Sequence, residues 1–289
     1  MPYAGFTSLI VRDISSFSKS NELFNISAVD LSNNPISNVS GVISLNNKNI
    51  SFTTDENGLI LFNVDLLEGN YVCQVYLKGN GIYMSCNSTF NVSIFKKETK
   101  LTSTNINTHA VVVKMDGKSG PYLKITLKDF KSAKLINKVI QIKLNSKTYN
   151  VTTDNNGIAK LQINIAKAGT YTAKINFLGD DEYYKSSTVS KIVVKKKKMS
   201  LTVPKKSFKS SKKVKKLTAT LKVSKGKPVS GKKIIFKING KKYVVKTNKK
   251  GVGTLKVKFS KKKTYKFSVT FKGDSTYNKI IKKSKFSIK

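Results

Sequence analysis

The sequence predicts an all-β protein built as three tandem antiparallel β-sandwich domains. Three observations predict it: one set of short motifs is written three times, the apolar residues alternate with a period of two, and no stretch shows helical periodicity. The turn pattern Thr54-Asp55-Glu56-Asn57-Gly58 returns as Thr153-Asp154-Asn155-Asn156-Gly157 and as Thr247-Asn248-Lys249-Lys250-Gly251. The second motif reads Gly69-Asn70-Tyr71, Gly169-Thr170-Tyr171 and Lys263-Thr264-Tyr265. The third runs from Gly79 to Tyr83, then recurs as Gly179-Asp180-Asp181-Glu182-Tyr183 and Gly273-Asp274-Ser275-Thr276-Tyr277. The turn glycines Gly58, Gly157 and Gly251 are 99 and 94 residues apart, and the loop glycines Gly79, Gly179 and Gly273 are 100 and 94 apart. A period of that length is one whole small domain. It divides the chain into repeats at 1–97, 98–197 and 198–289.

The elements follow from alternation and turn chemistry. In the third repeat Leu255, Val257 and Phe259 alternate with Lys256 and Lys258, and Tyr265, Phe267, Val269 and Phe271 alternate with Lys266, Ser268 and Thr270. Such a pattern buries one face of a strand. Seven strands are expected there: 200–203, 217–223, 233–238, 241–246, 253–259, 264–271 and 280–288. Asn239-Gly240 supplies the positive φ of a tight hairpin, and Pro35 and Pro228 precede the third strand, where a missing N–H does no harm. No segment reads as a helix. The joins 96–100 and 195–200 are short and contain no Gly/Ser spacer, which limits bending between domains.

Charge separates the repeats that the motifs make alike. The chain of 289 residues carries a net charge of +40. Residues 1–97 hold 6 Lys+Arg and 7 Asp+Glu, net −1; residues 98–197 hold 18 and 7, net +11; residues 198–289 hold 31 and 1, net +30. Codon bias accounts for abundant lysine but not for a gradient, and the gradient points to a polyanionic partner at the C-terminal end. No run of about 18 apolar residues occurs, so no membrane span is expected. The segment Met1–Ile14 lacks a basic region followed by an apolar stretch, so no signal peptide is read.

A Gly-x-Tyr opening one strand, then Gly-Asp-x-x-Tyr about ten residues on, resembles the end of a bacterial-type immunoglobulin-like repeat. The lysine- and asparagine-rich style is similar to the adhesin-like surface proteins of methanogenic archaea. The resemblance covers nearly the whole chain and implies immunoglobulin-like sandwiches, an extracellular stalk or adhesive role, and no catalytic residues or cofactors. Repeat one departs from the pattern with Asn80 where the others have Asp180 and Asp274, and repeat three departs with Lys263. The placement of Tyr71, Tyr171 and Tyr265 resembles the tyrosine corner of such sandwiches, where the hydroxyl bonds back to nearby backbone.

Other residue types narrow the chemistry. Asp55, Gly58, Asp154, Gly157 and Gly251 fit turns, as do Gly179, Asp180, Gly273 and Asp274. The Asp55 pattern lacks the alternating oxygen ligands of a calcium loop. Cys73 and Cys86 flank the Gly79–Tyr83 loop and by parity both point inward. They are either a disulfide or two buried thiols, and two cysteines alone do not close a zinc site. His109, the only histidine, reads as a surface residue. Six Asn-x-Ser/Thr sequons, at Asn25, Asn38, Asn49, Asn87, Asn91 and Asn150, are candidates for N-glycosylation. Five lie in repeat one and one in repeat two, a trend opposite to the charge.

Lys237, Lys256, Lys258 and Lys266 are the candidate polyanion contacts, although lysines also crowd the turns and the charge is expected to spread over both sheets. The aromatics fall on buried parity and only Arg12 is an arginine, which argues against a specific nucleic-acid reader. The leading expectation is a non-enzymatic protein of the cell surface or wall. Repeat three would associate with an anionic envelope polymer, and repeat one would face a ligand on a host or neighbouring cell. A non-specific polyanion or nucleic-acid binder, or an accessory part of a wall-active enzyme, are the alternatives.

Overall fold

The structure is a computed structural model that describes residues 5–224 and 226–289. Part of the N-terminal segment read for a signal peptide, residues 1–4, lies outside the described residues. The first domain contains β1 (Thr7–Ile10), β2 (Ile14–Phe17), β3 (Leu23–Asp30), β4 (Ser40–Leu45), β5 (Lys48–Thr53), β6 (Leu59–Asn63), β7 (Gly69–Leu77) and β8 (Cys86–Phe95). The second contains β9 (Thr99–Ser103), β10 (Ile106–His109), α1 (Val113–Asp116), β11 (Tyr122–Asp129), β12 (Val139–Leu144), β13 (Lys147–Thr152), β14 (Ile158–Gln162), β15 (Gly169–Phe177) and β16 (Ser186–Lys195). The third contains β17 (Met199–Thr202), β18 (Lys206–Phe208), β19 (Lys215–Val223), β20 (Lys233–Ile238), β21 (Lys241–Lys246), β22 (Val252–Val257), β23 (Thr264–Phe271) and β24 (Ile280–Ile288).

Each domain packs a three-stranded sheet on a five-stranded sheet. In domain 3 the orders are β17-β19-β22 and β18-β24-β23-β20-β21, and domains 1 and 2 repeat them strand for strand. Every pairing is antiparallel except β2 with β8, β10 with β16 and β18 with β24. These are three immunoglobulin-like sandwiches. The alternation read from sequence sets the layers: Leu123, Ile125 and Leu127 of β11 are wholly buried while Lys124 is exposed. Three separate apolar cores result, one per domain. That of domain 3 is rich in aromatic rings, with Tyr265 stacked on Phe286 at 4.9 Å between ring centres.

Two expectations need correction. Each domain has eight strands, not seven, because the N-terminal edge is split: a first piece joins the small sheet and a second crosses to pair parallel with the last strand. The second piece is three or four residues long, too short to show alternation, and Lys206-Ser207-Phe208 is held by its partner β24. The expectation of no helix also fails. The loop between β10 and β11 contains the single turn α1, where the Asp116 carboxylate accepts from the Val112 N–H at 2.9 Å. Four residues are too few for a helical period to register. Among the described residues no helix is long and apolar enough to cross a membrane.

Candidate functional site

The repeated motifs build backbone geometry. In the turn before the sixth strand of each domain, one side-chain oxygen accepts two backbone N–H groups. Asp55 takes those of Asn57 and Leu59 at 2.9 and 2.7 Å, Asp154 those of Asn156 and Ile158, and Asn248 those of Lys250 and Val252. An amide oxygen serves as well as a carboxylate, so Asn248 replaces Asp without a change of geometry. Gly58, Gly157 and Gly251 have φ of +69°, +69° and +73°, a region costly for residues with a Cβ. The threonine opening each motif is buried, and its hydroxyl accepts the N–H of Val39, Lys138 or Lys232 at 2.9–3.0 Å. Sequence reasoning assigned that threonine no role. The hydroxyls of Tyr71, Tyr171 and Tyr265 each donate to a carbonyl four residues upstream, those of Leu67, Lys167 and Lys261.

The Gly-Asp-x-x-Tyr loop holds the chain segment that enters each domain. Asn80, Asp180 and Asp274 turn the loop by accepting from the N–H groups two and three residues ahead. The loop backbone then pairs with the incoming chain: Gly5 bridges Tyr83, Lys97 bridges Tyr183, and Lys197 bridges Tyr277. The Lys97 N–H donates to Glu182 O at 2.8 Å, and that of Lys197 to Thr276 O at 2.8 Å. Lys97 and Lys197 therefore attach to the sandwich that follows them.

The same loop meets the preceding domain. At the first joint the Tyr184 hydroxyl donates to the Glu68 carboxylate, Lys96 lies 3.8 Å from that carboxylate, and Phe17 packs on Phe130 at 5.2 Å. At the second joint the Ala168 N–H donates to Ser275 O at 2.8 Å. There Met115 of α1 and Val112 just before it pack against the core of domain 3. Lys197 lies 2.9 Å from the Asp116 carboxylate, and the Lys227 ammonium donates to Met115 O at 2.7 Å. Burial pushes the Asp116 carboxyl up, but Lys197 and the Val112 N–H outweigh it and hold the group below the ordinary carboxylate value.

Cys73 and Cys86 do not meet. The ladder sets Cys73 opposite Phe90 and Cys86 opposite Leu77, four residues apart along the strands, or about 13 Å at the rise of a strand. Both thiols are free, and burial raises the Cys73 thiol to about 11. The two cysteines flank the loop unequally, Cys73 six residues before Gly79 and Cys86 three after Tyr83, so the ladder cannot set them opposite each other. The six sequon asparagines are all exposed. Asn49, Asn87 and Asn91 share the outer face of the five-stranded sheet of domain 1, and Asn150 occupies that face in domain 2.

The four candidate lysines are all exposed but do not share a face. Lys237 and Lys266 lie on the outer face of the five-stranded sheet, whereas Lys256 is on β22 of the opposite sheet and Lys258 just follows it. The five-stranded sheet is the more basic of the two. Its outer parity carries Lys233, Lys237, Lys242, Lys246, Lys266, Lys283 and Lys285. The equivalent face of domain 2 carries Lys143, Lys174, Lys191 and Lys195. In domain 1 it carries no lysine, only such residues as Ser44, Asn49, Gln74, Tyr76, Asn87 and Thr89.

No protein-family model matches this sequence, and no curated protein shows significant sequence similarity to it. Several solved structures are similar in architecture. Invasin, a bacterial integrin-binding protein, is 14% identical with a TM-score of 0.41, over 98% of this chain and 59% of the invasin chain. An I-band fragment of titin is 10% identical with a TM-score of 0.39 over the whole of both chains. A bacterial ice-binding adhesin is 14% identical with a TM-score of 0.34 over 99% of each. At these values the likeness carries no argument about what this chain binds.

Proposed function

We propose that this chain is a non-enzymatic cell-surface protein of the adhesin-like or stalk type, held by its third domain to an anionic polymer of the envelope. One observation carries the reading: on the outer face of one equivalent sheet, lysines rise from none in domain 1 to four in domain 2 and seven in domain 3. A genome-wide preference for lysine codons would load equivalent exposed faces alike. The uncharged face of domain 1, with three sequons, suits an end directed away from the envelope, toward a ligand on a host or neighbouring cell. The lysine- and asparagine-rich style, which resembles that of adhesin-like proteins of methanogenic archaea, agrees with this assignment.

Attachment of this kind releases counterions and weakens steeply with salt. The test is binding of the full chain to purified envelopes, titrated over roughly 50 to 500 mM salt and competed with soluble polyphosphate. Salt-sensitive binding displaced by the polymer supports the reading. Binding that ignores both, or no binding at low salt, overturns it.

A further inference from the structure

We infer that the outer face of the five-stranded sheet in domain 3 is a built seat for a linear polymer bearing repeated phosphate groups, and that the rest of this basic domain is not. The inference rests on the proposed function and names its site. Lysines on this face are set directly opposite one another: Lys233 faces Lys246, Lys237 faces Lys242, and Lys266 faces Lys285. Directly opposed side chains on neighbouring strands have Cβ atoms about 5 Å apart, and like charges so placed destabilise a sheet. The opposite sheet has one such rung, Lys216 facing Lys256.

Among the described residues of domain 3 no acidic side chain pairs with these lysines. The one acid of the domain, Asp274, is engaged by Lys232 at 2.7 Å. Three like-charged rungs without a counter-ion in the chain fit a face whose neutralising charge arrives with a ligand. Neighbouring strands are about 4.8 Å apart and alternate residues about 6.7 Å, so the lysine positions form a two-dimensional lattice with spacings of about 5–7 Å. Thr264, Ser268 and Thr270 stand in the same lattice, and their hydroxyls can donate to phosphate oxygens. The apolar members of the face, Ile235, Val244 and Ile281, are aliphatic. Without an exposed ring on that face no base can stack there, which favours a polymer lacking bases over single-stranded nucleic acid.

The test compares two full-chain variants that lose equal charge. The first combines Lys237→Gln, Lys242→Gln, Lys266→Gln and Lys285→Gln; the second combines Lys216→Gln, Lys222→Gln, Lys256→Gln and Lys258→Gln. Binding to long-chain polyphosphate should weaken about tenfold or more in the first, with a shallower salt dependence, and about threefold or less in the second. The first variant should also melt no lower than the parent when polymer is absent, because repulsion is removed. Equal weakening in both variants overturns the inference and leaves the proposed function standing. A parent chain that binds no polyanion overturns both. Tighter binding to polyglutamate than to polyphosphate removes the assignment to phosphate, and tighter binding to single-stranded DNA removes the assignment to a polymer without bases.

Discussion

The Lys232 ammonium lies 2.7 Å from the Asp274 carboxylate. The same ammonium sits over the Tyr277 ring at 5.2 Å. Domain 2 repeats the arrangement with Lys138, Asp180 and Tyr183, at 2.6 and 4.8 Å. In domain 1 the two partners change together: Val39 replaces the lysine and Asn80 the aspartate. Asn80 keeps the backbone hydrogen bonds of the loop, which depend on one oxygen, while the charge pair disappears with both its members. The departure at Asn80 is thus an exchange of one matched pair for another.

That exchange predicts the behaviour of substitutions in acid. Burial pushes the Asp274 carboxyl up, but Lys232 and the Thr276 and Tyr277 N–H groups pull it further down. A carboxyl depressed on folding contributes stability that is complete above its unfolded value of 3.8 and is lost as pH falls through the lower folded value. Asp274→Asn should therefore cost up to about 1 kcal/mol at neutral pH and progressively less in acid. The pair Lys232→Val with Asp274→Asn should cost less than the sum of the two single changes. Urea unfolding at neutral and acid pH measures both, and strict additivity would refute the pairing.

Gly157 tests the turn. Its φ is +69°, and a Cβ there would lie 2.9 Å from Leu127 O and 3.3 Å from Leu135 N. Gly157→Ala should destabilise by about 1–3 kcal/mol. Gly240 also has positive φ, +80°, but open space around its Cβ position. Gly240→Asn should stay within about 0.5 kcal/mol of the parent, because asparagine tolerates the left-handed region. Denaturation midpoints of the two variants check both expectations, and a Gly157→Ala midpoint equal to that of the parent would refute the role given to this glycine.

Asp116 tests the second joint. Replacing it with alanine removes the carboxylate that engages Lys197 and the Val112 N–H. Met115→Asp places a charge against the domain 3 core. Both changes should speed cleavage at 195–198 by a lysine-directed protease and raise amide exchange in Lys197 and Asn278, whose N–H groups join the linker to its loop. Met115→Asp should have the larger effect, and domain 1 should be unaffected in each. Unchanged cleavage in both variants would show that the joint does not depend on α1.

The sheets were legible because alternation and turn residues act locally. The limits of β20, β21, β23 and β24 coincide with those read from the pattern. What stayed hidden depends on long-range register. Cys73 and Cys86 both flank one loop on inward parity, yet Leu77 rather than Cys73 faces Cys86. Lys256 and Lys266 look alike in sequence, yet lie on opposite sheets. Lys206-Ser207-Phe208 becomes a strand only through β24, and Asp116 acquires a partner only when domain 3 brings Lys197 to it. Period and turn chemistry reveal which face of a strand is buried, but not which sheet the strand joins.

The parallel pairing of entry and exit strands fixes how each domain bears load. Tension along the chain pulls β10 and β16 in opposite directions, so their rungs slide together in shear and share the force. Zipper-like peeling would break them one at a time. Domains 1 and 2 each offer four rungs in this pairing and domain 3 offers three. If the seven-lysine face of domain 3 is the anchor, the parallel pairing with the fewest rungs and the attachment point coincide: β24 carries Lys283 and Lys285 and also receives the pull through β18. Yielding there would pay out chain next to the envelope while the outer two domains remain folded.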